Sequence, residues 1–181
     1  MTASQSTRVP TTRSVTLGDL ALASRRLSAV EVPRIQLYSQ DFRDGELLPT
    51  RSTSDGDGSP PPISWDATSP LPAAYALICE DPDAPRATPF VHWLVYGIGG
   101  HARSIDSNLA EFKEGLNDNG EVGFAPASPP RGHGRHRYYF QLFALDTELT
   151  LPSGLGYDRL LSALKGHVIA RGELVGLYER P

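Results

Sequence analysis

A single cysteine in 181 residues removes any internal disulfide framework from consideration. Its place in the apolar run from Tyr75 to Cys79 reads as a packed core thiol rather than a reactive one. Long apolar runs are missing as well. No window approaches the roughly 18 continuous apolar residues of a membrane span, the N-terminus lacks the apolar core of a secretory signal, and neither a lipidation signal nor a basic amphipathic helix is present. A cytoplasmic chain without stable membrane insertion is the expectation. Positive charge is not in excess either: 17 Lys and Arg stand against 21 Asp and Glu, for a formal net charge of −4. With no long basic run, nucleic acid is set aside as a partner. Acids are absent from residues Met1 to Gly18, which hold Arg8, Arg13 and many Ser and Thr. Organelle transit peptides and plain disordered tails share that bias, and both readings stay open.

What the chain does have is punctuation, with 17 Gly and 16 Pro dividing short apolar stretches. Residues 1–32 read as a flexible N-terminal extension, with a partly periodic helix over Leu17 to Val30 carrying Leu20, Ala21, Leu27 and Val30. Residues 33–181 read as one domain. Short strands are expected at Ile35 to Leu37, Ile63 to Trp65, Ala74 to Cys79, Phe90 to Ile98 and Glu173 to Tyr178, with turn signals such as Asp44-Gly45 between them. The period of two puts His92, Leu94, Tyr96 and Ile98 on one face of their strand and Val91, Trp93 and Val95 on the other. A longer strand starts at His136, with His136, Tyr138, Phe140, Leu142 and Ala144 on one face and Arg137, Tyr139, Gln141, Phe143 and Leu145 on the other. A helical turn is expected around Leu109 to Phe112. Asp158 is the expected N-cap of a helix through Leu160, Leu161 and Leu164, closed by Gly166. The pattern predicts an all-β, two-sheet sandwich with one or two peripheral helices. Two decoys are set aside. Asp55-Gly-Asp57-Gly lacks the ligand spacing of a calcium loop, and Gly97-Ile-Gly99-Gly has no following helix to make a dinucleotide site.

Polar groups recur at the ends of the apolar strands: Asp81 and Asp83 in an acidic proline turn, His92 entering the next strand, and His136 with Tyr138. A polar pair at the mouth of an apolar face is either hydrogen-bonded internally or aimed at a ligand. Two imidazoles and a phenol suit a phosphate, sulfate or carboxylate, because protonated His makes charge-assisted bonds to an anion. Such binding weakens as pH rises past the His pKa values. Two other readings remain: a hydrolase using the His/Asp group as base or metal ligands, and an interaction domain with a vestigial pocket. Ser128 is the nearest nucleophile, but it lacks a nucleophile-elbow context and precedes a Pro-Pro pair. No catalytic residue, metal ligand or cofactor is assigned.

The segments Asp81-Pro-Asp-Ala-Pro85, Val91-His-Trp93, Pro129-Pro-Arg-Gly132 and His136-Arg-Tyr138, with Gly166-His-Val-Ile-Ala170 and Glu173-Leu-Val-Gly176 in support, resemble the phosphatidylethanolamine-binding protein family. That family includes Raf kinase inhibitor protein and the plant flowering-time regulators, and the likeness is strongest to its bacterial branch. The resemblance implies an antiparallel Greek-key fold with a surface anion pocket built from Asp81, His92, Pro130, His136 and Tyr138, with backbone N–H donors near Ala127 and Ser128. It implies Asp83 and Arg137 as supporting residues that pair with each other. It also implies a non-enzymatic binding protein whose ligand is a small anion such as phosphate or phosphoethanolamine, with kinases or proteases as candidate partners and a homodimer left open. Ala125-Pro126 departs from the glycine pair common in bacterial relatives, and Pro126 has no N–H to offer. His133 falls outside the motif and is expected to be solvent-exposed.

Overall fold

The computed structural model describes residues 15–27, 31–106 and 111–181. Its centre is a five-stranded antiparallel sheet in the order β6-β4-β3-β7-β8, from β3 (Ala74–Asp81), β4 (Phe90–Gly99), β6 (Lys113–Glu114), β7 (His136–Leu145) and β8 (Val168–Tyr178). A second, smaller sheet runs β1-β2-β5, from β1 (Leu37–Tyr38), β2 (Ile63–Trp65) and β5 (Ser104–Ile105). Three short α-helices, α1 (Leu17–Ala21), α2 (Ala23–Arg26) and α3 (Tyr157–Leu164), and a 3-10 turn at Thr50–Ser52 complete the described elements.

Strands β3, β4 and β7 are apolar on both faces because both faces are covered. Between the sheets, Tyr75, Leu77 and Cys79 of β3 and Tyr138, Phe140, Leu142 and Ala144 of β7 pack with Trp93, Ile63 and Trp65. On the opposite face, Ala76, Ile78, Phe143 and Leu145 meet Leu160, Leu161 and Leu164 of α3 and Ala23 of α2. Cys79 is fully buried, and burial pushes its thiol pKa well up, as a core thiol requires. Each side chain of this size contributes about 1.5–3 kcal/mol on burial, so truncating Phe140 to Ala costs about 3–5 kcal/mol.

The alternation expected for β7 is the one observed; that for β4 is not. The β3–β4 register passes from Cys79↔Trp93 to Glu80↔Val91, which leaves His92 as the extra residue of a bulge. A second irregularity, between Tyr75 and Leu77, lies across from Gly97, whose φ is 70°. His92 therefore leaves the face of Leu94 and Tyr96 and joins that of Tyr138, and Ile98 likewise packs between the sheets. A bulge resets the side-chain phase, which simple alternation cannot anticipate.

Other expectations need correcting. The N-terminal helix is two short helices broken at Leu22, whose ψ is 147°, and Leu20 faces solvent. Val30 of that expectation lies outside the described residues, as do Leu109 and Ala110 of the turn expected at Leu109 to Phe112. Asp158 sits inside the first turn of α3, whose N-cap is Gly156. The last strand starts at Val168. As expected, no helix follows Gly97 to Ala102; the next element is β5. The Asp55-Gly-Asp57-Gly stretch is a turn, as its reading without calcium implied, and Asp55 accepts hydrogen bonds from Tyr178 and Arg180.

Residues 15–27, expected to trail from the domain, form a docked strap. A capping box between Thr16 and Asp19 starts α1, the Ala23 N–H donates to Glu80 at 2.8 Å, and the Ser24 N–H donates to Gln141 Oε1 at 2.8 Å. Leu22 and Ala23 are buried.

Candidate functional site

At the end of the β3–β7 pair the polar residues converge. Asp81, His92, Ser128, Pro130, His136 and Tyr138 all line one pocket of about 370 Å³. Pro126, marked in the sequence as a departure in this loop, lines it too, as do Phe90 and Asn119, which did not stand out in the sequence because each is an ordinary strand or loop residue there.

Each ring is oriented by a specific partner. The His136 Nδ1 lies 2.7 Å from Asp81 Oδ2, and the other Asp81 oxygen accepts from the Asp83 N–H at 2.8 Å. Asp81 thus turns its own Asp-Pro-Asp turn and orients the imidazole. The His92 Nδ1 lies 2.7 Å from the Ala125 carbonyl; a carbonyl only accepts, so Nδ1 carries the hydrogen and Nε2 is the free nitrogen. The Ala125 N–H returns a bond to the His92 carbonyl at 2.8 Å, so one residue clasps both the backbone and the ring of His92. Phe90 and Tyr138 hold that ring from two sides, with centroids at 4.6 and 5.0 Å.

Burial lowers the His92 pKa from its usual 6.5, because desolvation disfavours the charged ring. This corrects the expectation of two protonated imidazoles: at neutral pH, His92 presents a lone pair. Among the described residues the buried Tyr138 hydroxyl has no hydrogen-bond partner, and burial raises its pKa well above 10.0. It is a phenol held as a donor with nothing to donate to.

The loop differs from expectation in two ways. The Ala127 N–H is already bonded to the Ser52 carbonyl at 3.3 Å, so it is not a free donor. His133 is exposed as expected, yet its Nδ1 sits 2.8 Å from His136 Nε2. Ser128 Oγ bonds to Ser54 and lies 3.4 Å from an Arg180 nitrogen; among the described residues it makes no hydrogen bond to an imidazole, and no group of three or more His, Cys, Asp or Glu is placed to hold a metal ion.

Behind the pocket the supporting residues pair as expected. Arg137 grips Asp83 through Nε at 2.7 Å, Nη2 at 2.6 Å and its backbone N–H at 3.0 Å. Its Nη1 also reaches Asp19 of the strap at 2.5 Å, a partner that sequence spacing could not supply.

Comparison with known proteins adds an independent line. A family description, phosphatidylethanolamine-binding protein, matches residues 38–179. A UPF0098 protein of Methanothermobacter thermautotrophicus is 37% identical over 153 residues, covering 81% of this chain and 99% of the relative. Among solved structures, a homologue of that family from Chlamydia trachomatis superposes with a TM-score of 0.76 at 35% identity, covering 82% of this chain and 99% of its own. YbcL of Escherichia coli does so with a TM-score of 0.73 at 26% identity, over 82% and 99% of the two chains.

Proposed function

Because the chain belongs to the phosphatidylethanolamine-binding protein family, we propose that its pocket binds a small phosphate-bearing ligand without transforming it. The observation that carries this is the buried, unpartnered Tyr138 hydroxyl beside the free His92 Nε2. An orphaned buried hydroxyl costs about 1–3 kcal/mol, and a ligand oxygen removes that cost. The pocket combines a phenol donor with a neutral imidazole acceptor, so it suits a group that both accepts and donates: a hydrogen phosphate, or a phosphate carrying an ammonium such as phosphoethanolamine. Affinity for a phosphate monoester then falls as pH rises through about 6, where the ligand loses its second proton. That is the direction expected from the sequence, but the proton belongs to the ligand rather than to His92.

Calorimetric titration of inorganic phosphate and phosphoethanolamine into wild type and Tyr138→Phe tests the reading. Wild type binds both. The variant loses about tenfold or more in affinity while its melting temperature stays level or rises. Absence of binding by wild type at millimolar ligand, or equal affinity in the two proteins, overturns it. A higher affinity for phosphoethanolamine than for phosphate points to a head group or other phosphomonoester rather than the free ion.

A further inference from the structure

We infer that residues 16–24 are a built-in clamp on the pocket: seated, they fix the wall that the turn from Asp81 to Pro85 contributes, and lifted, they leave the pocket weak. This concerns the regulation of the site and rests on the phosphate-binding reading above. The turn has two sides. Asp81, Ala84 and Pro85 line the pocket, while Pro82 meets the strap directly and Asp83 meets it through Arg137. Gly18 lies so close to Pro82 that a Cβ would stand 2.3 Å from its carbonyl oxygen. The φ of Gly18 is not positive, so glycine serves the contact rather than the backbone. One residue on, Asp19 Oδ1 accepts from Arg137 Nη1 at 2.5 Å, and Arg137 grips both Asp83 oxygens with Nε and Nη2 at 2.7 and 2.6 Å. The Asp83 N–H donates to Asp81 Oδ1 at 2.8 Å, and Asp81 Oδ2 faces His136 Nδ1 at 2.7 Å. Hydrogen bonds run unbroken from the strap to the pocket wall.

The turn needs such a clamp because residues 82–89 lie outside the β3–β4 ladder, which ends at Asp81↔Phe90. The strap, for its part, is ordered by docking. α1 has five residues and α2 four, well short of the roughly 12–15 at which a helix begins to hold by itself. Its seat is polar. The Ala23 N–H on Glu80 and the Ser24 N–H on Gln141 carry the far end. Asp19 carries the near end, with its other oxygen spent on the Thr16 N–H and hydroxyl that start α1. Seating is therefore one local step that orders the strap and the turn together, and the apparent affinity of the pocket follows the fraction of molecules with the strap in place. Every pocket residue, with Asp83 and Arg137, lies inside the family match of residues 38–179. The strap lies outside it, so the pocket belongs to the matched domain and its clamp does not.

The test is calorimetric titration of inorganic phosphate into the full chain as wild type, Gly18→Ala, Asp19→Ala, Asp19→Asn and Leu20→Ser, at a temperature where denaturation curves show each protein folded, with hydrogen exchange of the Asp83 amide alongside. Gly18→Ala sets a methyl against the Pro82 carbonyl, and Asp19→Ala cuts the bond to Arg137. Each weakens phosphate binding by about threefold or more and speeds exchange at Asp83. Asp19→Asn keeps an oxygen for Arg137 and returns the affinity toward wild type. Leu20→Ser, in the same helix but 60% exposed, changes neither reading. Unchanged or tighter phosphate binding in Gly18→Ala and Asp19→Ala overturns the inference and leaves the pocket reading standing. So does a loss of affinity without faster exchange at Asp83, or an equal loss in Leu20→Ser. Failure of wild type to bind phosphate removes the pocket reading and this inference together.

Discussion

Strands β3 and β7 carry buried polar groups on both faces, and the two faces treat them differently. On the helix side, Glu80 accepts from the Ala23 N–H and the Gln141 amide, and Arg137 is held by Asp83, Asp19 and Tyr139. On the other side, one residue along each strand, Asp81, His136, His92 and Tyr138 form an open pocket with an orphaned hydroxyl and a free ring nitrogen. Buried polar groups are hydrogen-bonded almost without exception. Among the described side chains of β3 and β7, those that obey this internally form a structural network, and the unpartnered Tyr138 hydroxyl with the free His92 nitrogen at the cavity marks the candidate site. Residue type does not separate them, since carboxylates and tyrosines occur on both; satisfaction does.

Breaking the satisfied face gives the largest effect. Arg137→Ala leaves the Asp19 and Asp83 carboxylates, which are 11% and 17% exposed, without their cation. Removing one partner of a buried pair costs about 3–5 kcal/mol, read by chemical denaturation. A change below about 1 kcal/mol would mean that water already serves those carboxylates.

Next in size is the response to pH. Burial raises the Glu80 pKa above its usual 4.5, so the folded chain keeps a proton that the unfolded chain releases. Stability from this group is fully present below about pH 4.5 and is lost as pH rises through the raised folded value, with a slope of at most about 1.4 kcal/mol per pH unit. His92 has the opposite sign. Its folded value lies below 6.5, so its contribution is present above that pH and is lost as pH falls through the lowered value. Glu80→Gln flattens the decline on the alkaline side and leaves the acid-side fall intact, as melting temperatures across pH 4–8 will register.

The smallest contrast is between neighbouring tyrosines. The Tyr139 hydroxyl accepts from Arg137 Nη1 at 3.0 Å, so Tyr139→Phe costs about 1 kcal/mol or more. Tyr138→Phe removes an unsatisfied hydroxyl and leaves stability level or improved. If the order reverses, the two faces have been assigned wrongly.

Much of the site was legible in the chain. The alternation of β7 places His136 and Tyr138 on one face because strand periodicity is local, and the short polar motifs at the strand ends mark the residues that line the pocket. The motifs also carried the family, which the matched residues 38–179 support. What was not legible falls into two kinds. The His92 bulge is a register effect between β3 and β4. The spent Ala127 N–H and the His133 contact depend on where a loop comes to rest.

The sequence by itself determined the central strands β3, β4 and β7, the apolar faces of β7 and the set of polar residues at one end of the sheet, because these follow from side-chain period and residue type over a few positions; the two-residue strands β5 and β6 are too short to leave such a signal. Only the tertiary structure decided which of those residues are satisfied and which face a cavity. His92 is set by Ala125, 33 residues away, and Arg137 by Asp19, 118 residues away. A hydrogen bond between groups so far apart in the chain exists only once packing has brought them within about 3 Å of each other.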